Sequence, residues 1–193
     1  ESFFAERIGA LKAEGLDRVF ADLERIAGRF PRAHWHGPKG LREVTDEDYL
    51  RYRIASVRYL FKKLGQAAIP MMRPAGGHAV YIDAAALYPH LRPHELPGIS
   101  LCNELYQACG ARAVEIGTLM FGRPDPLGGP DIPANHELVR LAFPRRTYTQ
   151  SHVDWLAEVI IEVAQRRDTA RGYRITRQGK VLRAFTAELQ PVG

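Results

Sequence analysis

The sequence predicts an α+β fold with a helical segment at its N-terminus. Three observations predict it. Long stretches place apolar residues at three- and four-residue spacing, as amphipathic helices do. Shorter apolar runs at 78–83, 112–117 and 137–143 read as strands, and 172–177 and 181–187 add two more near the end. Strands and helices follow one another without the regular alternation of a parallel sheet and without an internal repeat.

In order along the chain, 2–14 and 16–30 predict two helices. Their apolar faces are Phe3, Phe4, Ile8 and Leu11, then Leu16, Val19, Phe20, Leu23, Ile26 and Phe30. Gly15 separates them, and Asp17 suits the positive end of the second. The stretch 31–40, PRAHWHGPKG, reads as a linker, so 1–39 stands apart from a main domain at 40–193. Asp46 is placed to cap a helix running to Leu64, with Gly65 stopping it. Pro70 and Pro74 force an extended passage, and Gly76-Gly77 permit a bend before strand 78–83. A short helix near 83–88 follows, then a helix over 98–109 that Gly110 ends, then strand 112–117. GRPDPLGGPDIPANH at 122–136 holds too many prolines and glycines for anything but an exposed loop. After strand 137–143, Thr149 or Ser151 opens a helix to Gln165, with Asp154 completing a variant capping box from Ser151.

The 193 residues suffice for one full core with an appendage. Hydrophobic residues make up 46% and charged residues 25%, which excludes disordered and fibrous classes. The net charge of +5 is interleaved with acids and accompanies no basic-aromatic module, which argues against a nucleic-acid partner. No apolar run approaches the roughly 20 residues of a spanning helix, and no signal-peptide pattern opens the chain, so the expectation is a cytoplasmic protein without a membrane partner. Cys102 and Cys109 fall two helical turns apart, about 10 Å, too far for a disulfide.

The residue that speaks most directly of chemistry is Arg140. It sits in ELVRLAFPRRTYTQ at 137–150, inside a short apolar run that Pro144 ends. On the inner face of a strand a guanidinium is costly to bury unless it meets an anion, and its planar fork suits a carboxylate. The bland alternative is pairing with a neighbouring Asp or Glu. Other constellations are weaker. His90 and His94 have metal-pair spacing, but Pro89 and Pro93 oppose a regular helix and no third ligand is evident. His34 and His36 flank Trp35 in the linker. Ser151, His152 and Asp154 belong to a helix start, GRPDPLGG lacks the lysine of a phosphate loop, and Lys62-Lys63 read as a solvated pair. Neither catalytic nor metal-ligating residues can be named.

Four segments taken in order carry a family resemblance: PAGGHAVYIDA at 74–84, RAVEIGTLMFGR at 112–123, VRLAFPRRTYTQ at 139–150 and KVLRAFTAEL at 180–189. They resemble the C-terminal small domain of tryptophanase and tyrosine phenol-lyase, the β-eliminating lyases that use pyridoxal phosphate. The likeness runs from near Gly40 to about Leu189, and residues 1–39 match nothing placeable in it. It implies the small domain of the fold-type-I pyridoxal phosphate enzymes, with an antiparallel or mixed sheet and helices on one side. It also implies that Arg140 holds the α-carboxylate of an amino-acid substrate. Ile116 stands where phenol-lyases resemble one another in having an arginine near the phenol ring, so an aliphatic residue there leans toward an indole-like or apolar leaving group. Phe185 matches the family's LRHFTA-type segment and is implied in the side-chain pocket. Ala184 departs from that segment, offering neither a hydrogen bond nor a ring.

The lysine, acid and phosphate cradle that pyridoxal phosphate requires lie, by this resemblance, in a large domain upstream of the matched motifs. The cofactor would then be held mainly by a partner chain or a large domain not included here, and the assembly would be a lyase oligomer of amino-acid metabolism. The competing reading is a non-catalytic, free-standing small domain that binds an amino acid or a protein partner. In that reading the N-terminal helices would cover surface otherwise left open.

Overall fold

A computed structural model describes strands at 23–25, 33–37 and 40–43 and then residues 47–192, except Pro130, Arg145, Arg146, Lys180 and Val181. The chain divides into two compact units, Glu1–Leu50 and Arg51–Gly193.

In the first unit β1 (Leu23–Arg25), β2 (Ala33–Gly37) and β3 (Gly40–Glu43) form an antiparallel sheet, with Leu23 opposite Trp35 and Trp35 opposite Arg42. This corrects two expectations. The helix expected over 16–30 contains a strand at 23–25, and the linker expected over 31–40 contains β2 and the start of β3. Local periodicity registers only neighbours three and four residues away, whereas the partner that satisfies the backbone of 23–25 lies about ten residues downstream. The helix expected over 2–14 and the cap at Asp46 lie outside the described residues.

The second unit is organised around a sheet of order β4-β6-β5, built from β4 (Ala79–Asp83), β5 (Val114–Ile116) and β6 (Leu138–Ala142). Both pairings are antiparallel. On one face Val80, Ile82, Val139 and Leu141 are buried. Over them pack α1 (Glu47–Gln66), α3 (Pro97–Cys109) and α5 (Gln150–Gln165), which contribute Val57, Leu60 and Leu64, then Leu101 and Leu105, then Val153, Ala157, Ile160 and Val163. Helices on one side of an antiparallel sheet are the arrangement expected of this chain. Removing one of these leucines in favour of alanine would cost about 2–5 kcal/mol.

The helix boundaries follow local chemistry. The short α2 (Ala84–Leu87) is capped by Asp83, whose side chain accepts from the Ala86 N–H at 3.0 Å. Gly110, at φ +70°, closes α3 by donating its N–H to the Tyr106 carbonyl. Close approach of α3 to the sheet needs Gly98, where a Cβ would stand 2.9 Å from Glu115 Cγ. Helix α5 is capped by Thr149 with His152 as its reciprocal partner, not by Ser151 with Asp154. Asp154 instead accepts from Lys63 and, at 2.7 Å, from the Tyr59 hydroxyl, tying α5 to α1; Lys63 is therefore ion-paired and not one of a solvated pair. Cys102 and Cys109 are free thiols, and burial pushes the Cys102 thiol up to about 12.

At the C-terminus β7 (Tyr173–Arg177) pairs with β8 (Glu188–Pro191). The strand expected over 181–187 is instead mostly the short helix α6 (Arg183–Thr186), entered through Leu182 at φ +54°. Arg183 explains the difference, because its guanidinium is engaged by Asp131 and by the Thr118 carbonyl and draws the segment out of the hairpin. Loop 122–136 is largely exposed, with one isolated bridge between Arg123 and Ile132. Among the described residues no helix is long and apolar enough to cross a membrane.

Candidate functional site

Strand β6 is central, so each of its residues has a neighbour on both sides. Arg140 lies opposite Tyr81 of β4 and Val114 of β5. Because side chains alternate, it shares a face with Leu138 and Ala142 and is turned away from buried Val139 and Leu141. Arg140 is thus on the sheet face opposite the helices, and is half-buried. The inner-face placement expected from the apolar run is corrected by one step of the pleat. Its Nε is shielded from solvent yet has no hydrogen-bond partner, and among the described residues no acid pairs with it. A shielded donor without an acceptor is a costly arrangement in a folded chain.

Ile116 pairs with Leu138, two residues along β5 from the Val114 that flanks Arg140. Arg140 and Ile116 therefore occupy the same face on adjacent strands, one diagonal step apart. With half-buried Tyr81 and Val114 they make a partly covered surface that bears one cation among apolar and aromatic groups. Phe185 is on α6, which contacts α4 (Thr118–Phe121) just beyond β5, but its ring is 81% exposed. Ala184 beside it is half-buried. Arg145 and Arg146 lie outside the described residues.

Behind this face are two buried glutamates that sequence reasoning passed over. Glu115 and Glu137 are 6% and 3% exposed. Glu137 Oε1 accepts from the Thr118 N–H at 3.0 Å and from the Thr118 hydroxyl, while Glu115 Oε1 accepts from the Leu119 N–H at 3.1 Å. Both close on Gly117, where a Cβ would collide with Glu137 Oε2 and stand 2.8 Å from Glu115 Oε1. Burial, then the neighbouring Glu137, pushes the Glu115 carboxyl up to about 7. Burial likewise raises Glu137, against the two Thr118 hydrogen bonds. A glutamate directly before an apolar strand and another inside one were the available signal, since neither position favours a charge.

The described histidines and lysines that were candidates have ordinary positions. His90 Nε2 lies 3.0 Å from the Ala170 carbonyl, His152 serves the α5 cap, and His78 is exposed. Of the described lysines, Lys62 is exposed and Lys63 is held by Asp154, so neither fits a covalent anchor for an aldehyde cofactor. No group of three or more potential metal ligands occurs among the described residues. A hollow of about 230 Å³ between α3, β6 and α5, edged by Arg112, Tyr148 and Trp155, is lined by none of Arg140, Ile116 and Phe185.

The chain is 51% identical over 153 residues to a tryptophanase of Rhodobacter capsulatus, a match covering 79% of this chain and 33% of the relative. A tryptophanase of Salinibacter ruber is 52% identical over 153 residues, covering 79% and 32%. The chain belongs to the tryptophanase and tyrosine phenol-lyase family. A tyrosine phenol-lyase of Intrasporangium calvum is 45% identical over 192 residues, covering 98% of this chain and 40% of the relative. That match extends over nearly the whole chain, most of residues 1–39 included, for which the motifs found no place in the family. The chain spans about a third of the length of the tryptophanases it matches. No family model matches it.

Proposed function

We propose that this chain is the small-domain portion of a tryptophanase-like lyase that eliminates the β-substituent of an aromatic or related amino acid. The observation that carries the proposal is Arg140, a half-buried guanidinium with an unpartnered Nε on an open sheet face, in a chain about half identical to tryptophanases. Arg140 binds and orients the substrate carboxylate by its fork, fixing the reacting carbon relative to groups supplied from elsewhere. Ile116, one step away on β5, walls the side-chain pocket and offers no charge to a phenol oxygen, which favours an indole-like leaving group. Phe185, exposed in this chain, closes the same pocket from α6 once the rest of the lyase covers it. Pyridoxal phosphate, when bound to the lyase, supplies the electron sink for loss of the α-proton and departure of the β-substituent. The described lysines do not fit as its anchor, so this reading assigns the cofactor to a large domain on a partner chain or on a further part of the protein. The working unit is then an oligomer in the cytoplasm.

The test mixes the chain with pyridoxal phosphate and the large domain of a related tryptophanase, following the absorption of the lysine-bound cofactor and release of pyruvate from L-tryptophan. Wild-type chain restores turnover, and Arg140→Ala does not. Unchanged activity and affinity in Arg140→Ala would overturn the carboxylate role.

The exposure of Leu182 and Phe185 at 69% and 81%, beside the substitution-like Ala184, favours one second reading, a non-catalytic domain that binds an amino acid or protein partner. Calorimetric binding of L-tryptophan without any cofactor or second protein would select it.

A further inference from the structure

Thr118 is the meeting point of three segments. Its N–H and hydroxyl donate to Glu137, which directly precedes β6; its hydroxyl oxygen accepts from the Ala134 N–H at 3.1 Å; its carbonyl accepts from Arg183 Nη2 at 3.1 Å, on α6. Thr118 itself stands two residues after Ile116, is 2% exposed and opens α4. Arg183, two residues before Phe185, is secured from the other side by Asp131. The N–H and hydroxyl of Thr118 are thereby committed to Glu137 and the loop before it, and its carbonyl to α6 as well as to the Gly122 N–H of its own turn. The lengths involved are short: Gly117 separates Thr118 from Ile116, Leu138 and Val139 separate Glu137 from Arg140, and Ala184 separates Arg183 from Phe185.

A turn could be closed more cheaply. Two carboxylates and a guanidinium taken out of water stabilise less than well-packed apolar groups of similar volume, and Glu115 Oε2, Glu137 Oε2 and Arg183 Nε are shielded without a partner, yet the directional bonds that are made fix geometry that apolar packing leaves looser. We infer that Glu137 and Arg183 are positioning residues that act through Thr118 to hold Ile116, Arg140 and Phe185 in one arrangement. The purpose of that arrangement rests on the proposed lyase reading, while its existence does not. Glu115 completes the turn by capping Leu119, and Gly117 leaves room for both carboxylates. The charged or titratable groups facing the network are Asp83 from β4, Cys102 from α3, and Arg183 with Asp131.

The test uses the full chain with labelled isoleucine methyls and phenylalanine rings, read by NMR together with amide exchange. Arg183→Met is expected to shift the Ile116 methyl and Phe185 ring signals and to speed exchange of the Thr118 and Leu119 amides about tenfold or more, with the Val139 and Leu141 amides unchanged. Glu137→Ala is expected to do the same, and Glu137→Gln, which keeps an acceptor oxygen for Thr118, to restore the wild-type pattern. Should Arg183→Met not fold, Arg183→Lys replaces it, since it retains charge but loses the fork. Wild-type signals at Ile116 and Phe185 in a folded Arg183 variant would overturn the inference, as would failure of Glu137→Gln to restore them. L-Tryptophan binding by Arg140→Gln in the reconstituted lyase is read separately, so loss of the carboxylate reading is distinguishable from loss of the network.

Discussion

At the scale of single residues, Arg140 and Gly117 make opposite demands. Arg140 has a shielded Nε without a partner and no ion pair among the described residues, so the cost of that donor offsets what its packing adds and its net contribution to stability is small. Arg140→Ala should leave the urea midpoint of the chain nearly unchanged while reducing kcat/KM of the reconstituted lyase by a factor of about 10–100, the worth of one charge-assisted contact. Arg140→Lys should recover only part of the loss, because a point charge cannot reproduce the two parallel bonds of the fork. Gly117 is the reverse case. A methyl there meets two carboxylates at once, so Gly117→Ala should destabilise the fold by about 2–3 kcal/mol, measured by urea unfolding, with no ligand present. Equal stability of Gly117→Ala and wild type would mean that Glu115 and Glu137 can move aside, and that the turn is looser than its hydrogen bonds imply.

At the scale of elements, helix α5 depends on its cap. Thr149 and His152 satisfy each other's end of the first turn, so Thr149→Ala should lower stability by about 1 kcal/mol, and Ser151→Ala should not. Thermal unfolding of the two variants separates them. The comparison also marks how far the sequence was legible. Helices α1, α3 and α5 and strands β4, β5 and β6 were readable within a few residues, because each has its own apolar period and its own stop signal, such as Gly110. What escaped was set by partners distant in sequence. Strands β1 and β2 exist through pairing with each other, and α6 displaces a plausible strand because Arg183 finds Asp131 some fifty residues away. Thr149, one of the two expected openers, does cap α5, but the box expected from Ser151 and Asp154 does not form, since Asp154 is drawn to Lys63 and Tyr59 on another helix. In the candidate site, Arg140 stood out in the sequence by its cost in an apolar run, which is what suggests the anion-binding role proposed for it. Its face was not legible, because period-two alternation in a half-covered strand does not say which side the helices take. Glu115 and Glu137 went unread, since their role appears only when β5, β6 and α4 converge.

At the scale of the whole molecule, the buried acid pair governs how stability responds to pH. Glu115 is raised in the folded chain to about 7 from the ordinary value of 4.5, and Glu137 is raised as well. The folded state therefore binds protons more tightly than the unfolded state between those limits. The stabilisation is fully present below about pH 4.5 and is lost as pH rises through 7, by about 3 kcal/mol for Glu115 taken alone. Surface acids act in the other direction but in a different window. Hydrogen bonds from Lys63 and Arg177 hold Asp154 and Glu188 below their usual values, and backbone and side-chain bonds from Arg92 do so for Glu95, so their stabilisation disappears only as pH falls further. Urea unfolding from pH 4.5 to 7.5 should thus show stability declining across the range in which most carboxylates are already ionised. Glu115→Gln, a neutral group of the same shape, should flatten that decline and leave the acid side unaltered. A wild-type profile that rises or stays level between pH 5 and 7 would mean that water or movement of the 116–118 turn relieves the pair, and with it the rigidity on which the placement of Ile116 beside Arg140 depends.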